Sequence, residues 1–446
     1  MVLALTYFLC LLLLLLPFST TAQTYTNITL GSSLTALNDN SSWKSPSGDF
    51  AFGFRQIRTG NFLLALWFDK IPEKTITWSA NGETLVQKGS KIQLTQNGYL
   101  VLTDPQGQKI WAANPTAAGV AYAAVLDVGN LVLVSNDSVI LWQSFDHPTD
   151  TILPTQVLNL GTKLVARFSE NNFSSGRFEL PFQNDGNLVL YTRAFPLDSV
   201  YGAYWATGTD GSGYQTIFRP EGSIEVIGKT GKVLSTVSSS AASTEDFYQR
   251  AIIENDGVFR QYIYPIAGGG SRTVNWSQAW SSLTAIPSDI CMSITLSTGS
   301  GACGFNSLCR LIGQRPKCEC PPGYTFSDPN DKLDGCRPTF VPQNCNGKPE
   351  RSNLFDIVEM PDTDWPLSDY ELLQPVTEEW CRGACLDDCQ CAVAIFRNGN
   401  CWKKKVPLSN GRINPSVGGK ALIKVGKNVS VSESTIVGLW KEKKKD

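Results

Sequence analysis

Residues 182–191 read Phe-Gln-Asn-Asp-Gly-Asn-Leu-Val-Leu-Tyr, which predicts a tight hairpin turn followed by a β-strand. Alternate residues of a strand project to the same face, and the turn brings the residues before it towards that face. One surface therefore collects five side chains: Gln183, Asp185, Asn187, Val189 and Tyr191. They offer a carboxylate, two amides, a phenol and two methyl groups. These groups can hydrogen-bond sugar hydroxyls and cover a patch of sugar C–H groups.

The five-position pattern resembles the mannose-binding motif of the bulb-type (monocot mannose-binding) lectins, and every position is filled. The resemblance implies that Asp185 and Asn187 bind adjacent hydroxyls of a mannose-type sugar and that Gln183 binds a neighbouring one. It also implies that Tyr191 binds a further hydroxyl and that Val189 lies against ring C–H groups. The alternative interpretation is a polar hairpin that binds no ligand.

Two earlier stretches repeat the hairpin in degenerate form. Residues 95–102 read Thr-Gln-Asn-Gly-Tyr-Leu-Val-Leu, and residues 123–134 read Ala-Ala-Val-Leu-Asp-Val-Gly-Asn-Leu-Val-Leu-Val. Thr103 and Val134 stand where the intact copy has Tyr191. These copies keep the residues that predict the hairpin, but they lack the polar side chains that could bind a sugar.

A tryptophan closes each of three early units, at Trp78, Trp111 and Trp142, with spacings of 33 and 31 residues. Such a spacing is an internal repeat. Three short sheets that each give a tryptophan to a shared centre form a β-prism, so we expect these rings in a core rather than against a ligand. The sequence thus predicts a mainly β protein, and the resemblance implies tandem bulb-lectin domains of the β-prism II type, at residues 23–150 and 151–275.

Composition narrows the function classes. The chain has 446 residues, which suggests about three domains. Its net charge of −2 argues against nucleic acid as a partner. His147 is the single histidine and precedes Pro148, which is typical of a turn residue. Without a recognisable nucleophile, base or carboxylate pair we expect no enzyme, no catalytic residue and no cofactor.

The first residues and the sequons indicate export. Residues 1–22 are an apolar run followed by small residues, typical of a signal peptide cleaved after Ala22. The run is shorter than the roughly 20 residues that span a membrane. Six sequons predict N-glycosylation at Asn27, Asn40, Asn136, Asn172, Asn275 and Asn428.

Twelve of the thirteen cysteines fall between Cys291 and Cys401, and an even number in an exported chain predicts a disulfide framework. A metal site is disfavoured, because no histidine lies nearby and oxidised sulfur is not a ligand. Residues 287–337 resemble an EGF-like module and residues 345–426 a PAN (apple-like) module. That resemblance implies six pairs: Cys291–Cys309, Cys303–Cys318, Cys320–Cys336, Cys345–Cys389, Cys381–Cys401 and Cys385–Cys391.

Residues 142–151, Trp-Gln-Ser-Phe-Asp-His-Pro-Thr-Asp-Thr, resemble the end of the first lectin domain of plant S-domain (G-type lectin) receptor-like kinases. The module order matches the ectodomain of that family. We find no kinase motif, and the apolar stretch in the tail, residues 427–446, is too short to span a bilayer. We therefore expect a secreted, apoplastic chain whose full-length relatives are plasma-membrane receptors.

Two functions remain open. The first is a lectin that binds mannose-type glycans or glycoproteins in recognition or defence signalling. The second is a protein-interaction ectodomain, or a soluble decoy, that binds peptides or receptor-like kinases and uses its lectin folds as a scaffold. Homo-oligomers are compatible with either function.

Overall fold

The computed structural model of the chain describes residues 27–37, 41–239, 242–266, 279–295, 299–345, 354–366 and 369–427. Antiparallel strands dominate these ranges, which confirms the predicted mainly β fold. Strands and helices are numbered along the chain.

The first prism (residues 27–143) consists of three sheets around one buried core. Its first sheet contains, in spatial order, β3 (Ser42–Lys44), β4 (Phe50–Arg58), β5 (Asn61–Phe68) and β6 (Ile76–Ser79), with β7 (Val86–Gln87) also paired to β5. Its second sheet contains β10 (Lys109–Ala113), β9 (Leu100–Thr103), β8 (Lys91–Leu94) and β2 (Ser33–Thr35). Its third sheet contains β1 (Ile28–Thr29), β11 (Val120–Val125), β12 (Leu131–Ser135) and β13 (Ile140–Gln143).

Three indole rings fill the centre of the first prism. Trp78, Trp111 and Trp142 lie 5.8, 6.0 and 6.1 Å apart between ring centroids, at interplanar angles of 70° or 73°. This edge-to-face arrangement is favourable for aromatic rings. Each tryptophan also pairs with a leucine of the neighbouring strand. Trp78 and Trp142 are buried, as predicted for core residues, and Trp111 is partly buried and packs against the same core.

The second prism (residues 151–286) repeats the three-sheet plan. Its first sheet contains β16 (Lys163–Ser169), β17 (Asn172–Pro181), β18 (Val189–Arg193) and β19 (Val200–Ala206). Its second sheet contains β15 (Val157–Asn159), β20 (Gln215–Phe218), β21 (Ile224–Ile227) and β22 (Val233–Ser238). Its third sheet contains β14 (Thr151–Ile152), β23 (Phe247–Ile253), β24 (Phe259–Pro265) and β25 (Ser281–Ile286).

The centre of the second prism is filled differently. Trp205 pairs with Leu190, as each tryptophan of the first prism pairs with its leucine. The short helix α1 (Ile290–Ser293) follows the last strand. It places Ile290 and Cys291, with Ile294 just beyond it, in the same buried cluster as the prism core. The beginning of the cysteine-rich region therefore completes the core of the second prism.

Two cysteine-rich segments follow, here called the first (residues 287–337) and the second (residues 345–426). The first segment has a hairpin of β28 (Tyr324–Asp328) and β29 (Asp331–Pro338). The second segment packs helix α2 (Glu378–Asp387) on a sheet of β30 (Phe355–Pro361), β36 (Lys420–Gly426), β33 (Val393–Arg397), β34 (Asn400–Lys404) and β32 (Asp369–Leu373). The segments share a further sheet of β27 (Arg315–Glu319), β26 (Leu308–Ile312), β35 (Arg412–Ile413) and β31 (Thr363–Asp364).

The structure joins the same six cysteine pairs that the resemblance implied. Three bonds lie in each cysteine-rich segment. Between the segments, the Trp365 indole N–H donates to the Ser307 carbonyl over 3.0 Å, next to the parallel pairing of β26 with β35. Disulfides stabilise small modules by about 2–5 kcal/mol each, which compensates for the little surface that such modules bury.

The two prisms contact each other through specific side chains. The Trp280 ring lies 5.4 Å from the Phe68 ring, and its N–H donates to the Thr75 hydroxyl over 2.8 Å. The Tyr248 hydroxyl donates to the Asp49 carboxylate over 2.6 Å. The contacts cross from the second prism to the first, so the two cores hold a defined orientation.

The second prism also contacts the first cysteine-rich segment, through a cluster of charges. Arg260 is only 1% exposed and pairs with Glu254 and, over 2.8 Å, with Asp256. Arg315 reaches across from β27 to Glu254 over 2.9 Å and donates to the Tyr262 hydroxyl over 3.1 Å. Burial, together with the Glu254 charge, raises the pKa of Tyr262 to about 12, so its hydroxyl stays protonated.

Several predictions from the sequence fall outside the described residues, namely the signal peptide, the tail from residue 428 and the sequons at Asn40, Asn275 and Asn428. Asn27 and Asn136 are exposed, and Asn172 is half-buried. Within the described ranges, no helix combines the length and the apolar character needed to cross a membrane.

The central tryptophans offer a test of the first prism. Trp142 is 6% exposed, so Trp142→Ala removes a buried ring and is expected to destabilise the prism by about 3–5 kcal/mol. Trp380 is 50% exposed, and Trp380→Ala is the matched control, with an expected change of about 0.5 kcal/mol or less. Thermal unfolding of the two variants measures the difference. Equal melting temperatures would show that the three tryptophans do not stabilise the core of the first prism.

The charge cluster offers a second test. Arg260→Met leaves two carboxylates without their buried cation and is expected to cost about 3 kcal/mol. Arg315 is 62% exposed on its side chain, so Arg315→Ala is expected to cost about 1 kcal/mol or less. Thermal unfolding ranks the two changes. A larger loss for Arg315→Ala would contradict the assignment of Arg260 as the buried counter-ion.

Candidate functional site

The predicted site lies on the outer face of the β16–β19 sheet. Phe182, Leu188 and Leu190 point into the core of the second prism and are at most 1% exposed. The alternate residues therefore point outwards, because successive side chains of a strand project to opposite faces. This places Gln183, Asn187, Val189 and Tyr191 on one surface, and Asp185 lies beside it in the turn, where its carboxylate accepts from the Asn187 N–H.

The hairpin turn has one fixed hydrogen-bond pattern. The Gln183 N–H donates to the Asn187 carbonyl, and the Gly186 N–H donates to the Gln183 carbonyl, both over 2.9 Å. Gly186 has a φ of 87°, a conformation that glycine adopts without steric cost. Among the described residues the same pattern recurs in seven other turns, which begin at Thr95, Asp104, Leu126, Ser135, Arg219, Gly228 and Glu254. The degenerate repeats are therefore the same hairpin in structure.

Asn187 has a structural task. Its side-chain oxygen accepts hydrogen bonds from the Thr207 hydroxyl and the Gly208 N–H, each over 3.0 Å. Asn130, in the degenerate hairpin of the first prism, does the same for the Ser144 hydroxyl over 3.0 Å and the next N–H over 3.2 Å. The asparagine thus holds the hairpin to the following loop, and only its NH₂ group remains for a ligand.

Three other members keep polar atoms for a ligand. The Gln183 side-chain NH₂ donates to the Tyr191 hydroxyl over 3.0 Å, which leaves the phenol free to donate and the amide oxygen free to accept. Asp185 is exposed, and one of its oxygens accepts from the Asn187 N–H over 2.9 Å. Val189 is only 2% exposed, so its side chain presents almost no surface to a ligand.

A charged cluster lies directly beside Tyr191, and sequence analysis missed it. Glu179 pairs with Tyr191 across β17 and β18. Lys163 reaches Glu179 over 3.1 Å and Asp198 over 3.5 Å, and Arg193 reaches Asp198 over 2.8 Å. The hydrogen bond from Arg193 and the charge of Lys163 hold the pKa of Asp198 below its usual range. The residues come from separate strands and one loop, so no local sequence motif indicates the cluster.

The degenerate hairpins have other surroundings. In the first prism, Val132 and Val134 form an apolar cluster with Tyr122 and Leu126 on the outer face. In the second prism, three motif positions hold Glu254, Asp256 and Tyr262. The position of Val189 is taken by Arg260, which pairs with Asp256. Arg315 covers this hairpin (residues 254–262) and donates to the Tyr262 hydroxyl. Both surfaces have lost the space or the groups for a sugar.

Residues 75–174 match a protein-family model described as D-mannose binding lectin. The match ends before Gln183, so the intact set lies outside it. Among solved structures, the chain resembles the two-domain fetuin-binding agglutinin of Scilla campanulata, with 16% identity over 53% of this chain and 90% of that chain, and a TM-score of 0.19. It also resembles a monomeric monocot mannose-binding lectin of Gastrodia elata, with 20% identity over 30% of this chain and 94% of that chain, and a TM-score of 0.21.

Curated relatives match nearly the whole chain. It is 44% identical to the G-type lectin S-receptor-like serine/threonine-protein kinase LECRK3 of Oryza sativa subsp. indica, over 97% of this chain and 55% of the relative. It is 35% identical to the similarly described RLK1 of Arabidopsis thaliana, over 96% of this chain and 54% of the relative. The chain spans about half the length of these relatives. Over nearly its whole length, the chain is therefore homologous to a part of the plant G-type lectin S-receptor-like kinases.

Proposed function

We propose that the chain is an extracellular lectin-type recognition unit that binds a mannose-type sugar on the outer face of the β16–β19 sheet. The observation that carries the proposal is the convergence of Gln183, Asp185 and Tyr191 on that face with polar atoms uncommitted. The match to the D-mannose binding lectin family supports the same ligand class. We place the chain outside the cell because its relatives are described as receptor-like and its cysteines are paired.

The proposed contacts follow from the donors and acceptors that remain. The outer oxygen of Asp185 accepts from one hydroxyl, and the Asn187 NH₂ group donates to the adjacent one. The Gln183 amide oxygen and the Tyr191 phenol bind further hydroxyls. Each exchange with water contributes about 1 kcal/mol, or up to about 3 kcal/mol where the carboxylate takes part. Such a site binds a monosaccharide with a dissociation constant on the order of millimolar.

A second candidate function is protein recognition, with the prisms as scaffold. The outer face of the first sheet of the first prism favours it, because Phe173 of the second prism packs there against Trp67. Glu83 of the first prism also accepts from the Ser175 N–H over 2.9 Å. Outer prism faces therefore bind protein within this chain, and peptide or receptor partners are the alternative ligand class.

The sugar site is tested by NMR titration of the purified chain with methyl α-mannoside. Asp185→Asn preserves the turn, since an amide oxygen still accepts from the Asn187 N–H, and is expected to weaken binding at least about tenfold by removing the charge. Tyr191→Phe is expected to weaken binding about fivefold by removing one hydrogen bond.

Tyr99→Phe is the matched control, because Tyr99 is an exposed tyrosine on a degenerate hairpin. It is expected to leave the titration unchanged. Binding that survives both site changes undiminished would place the sugar elsewhere. No binding by the wild-type chain at millimolar sugar would favour protein recognition.

A further inference from the structure

We propose that the site binds at least a disaccharide, with a second neutral hexose residue bound by Lys163 and Asp198, in the cluster that these two form with the buried side chains of Glu179 and Arg193. This cluster is called the second subsite below. The proposal rests on the function proposed above, because it extends the same surface. It assigns a binding role to Lys163 and Asp198 and a positioning role to the buried Glu179 and Arg193, all outside the five-residue motif.

The second subsite is continuous with the first. Arg193 follows Tyr191 by two residues on β18 and projects to the same face, about 7 Å further along the strand. Glu179 lies across from Tyr191 on β17. A sugar residue linked to one held at Gln183, Asp185 and Tyr191 therefore extends over the cluster.

The cluster is held in place by its own ion pairs and still presents groups to solvent. The side chain of Asp198 is 77% exposed, although it binds Arg193 over 2.8 Å and Lys163 over 3.5 Å. The Lys163 side chain is partly exposed and has donors beyond those used by Glu179 and Asp198. The Arg193 Nε–H is buried and makes no hydrogen bond, although the Glu179 carboxylate lies 3.4 Å away.

The charges of the cluster favour a neutral sugar. Two cations and two carboxylates sum to zero, and a uronate or phosphate would meet the exposed carboxylate of Asp198. Vicinal hydroxyls suit this arrangement, because one accepts from an ammonium while its neighbour donates to a carboxylate. Such charge-assisted hydrogen bonds are stronger than neutral ones.

An aromatic rim borders the far side of the second subsite. Phe195 lies in the β18–β19 loop with Asp198, is partly exposed and packs 5.4 Å from Phe168 between ring centroids. The Arg177 guanidinium covers both rings, at 4.9 Å from Phe168 and 4.7 Å from Phe195, and pairs with Asp331 over 2.7 Å. The exposed part of Phe195 offers an apolar surface to sugar C–H groups.

The test compares methyl α-mannoside with α-linked mannobioses by NMR titration. At least one mannobiose is expected to bind about tenfold more tightly than the monosaccharide. Asp198→Ala and Lys163→Ala are expected to remove that advantage and to leave the affinity for methyl α-mannoside unchanged. Lys229→Ala, at an exposed turn of the second prism, is the matched control and is expected to change neither affinity. Melting temperatures check that each variant is folded.

The outcomes separate this proposal from the one on which it rests. Equal affinities for the mannobioses and methyl α-mannoside would overturn the second subsite and leave the lectin function standing. A mannobiose advantage that survives both substitutions would also overturn the second subsite. If neither sugar binds the wild-type chain, the proposed sugar function fails, and the second subsite fails with it.

Discussion

Every prism in this chain must fill the centre where its three sheets meet, and the rest of the structure depends on how that is done. Short four-stranded sheets cannot bury enough surface alone, so a shared apolar centre is required. The first prism meets this need with Trp78, Trp111 and Trp142 in edge-to-face contact. The second prism has Trp205 and takes Ile290 and neighbouring residues from the cysteine-rich region. The second prism and that region therefore share one core.

The residues of the hairpin motif have two different roles, to hold the hairpin to the following loop and to present polar atoms to a ligand. The side-chain oxygen of Asn187 binds the following loop, just as that of Asn130 does in a hairpin without the sugar-reading set. The asparagine is therefore retained by the fold, whether or not a sugar binds. What distinguishes this hairpin from the degenerate copies is the set of Gln183, Asp185 and Tyr191, because their remaining polar atoms have no structural role in this surface.

Surfaces that correspond to sugar sites serve as contacts between domains elsewhere in the chain. Arg315 of the first cysteine-rich segment covers Glu254 and Tyr262. Phe173 of the second prism covers Trp67 of the first. A strand face that presents both polar and apolar groups suits either a sugar or a protein side chain. The intact face differs in that the described residues leave Asp185 exposed, with one oxygen outside any turn contact.

The sequence alone determined the mainly β fold, the recurring hairpin and the tryptophan trio, because these depend on local turn chemistry and on a repeat along the chain. It also placed Gln183 to Tyr191 on one face, since strand alternation is a local property. Only the tertiary structure decided that Ile290 completes the second core, and that Lys163 and Asp198 lie beside Tyr191. These contacts join residues from separate strands, and spacing along the chain does not encode such proximity.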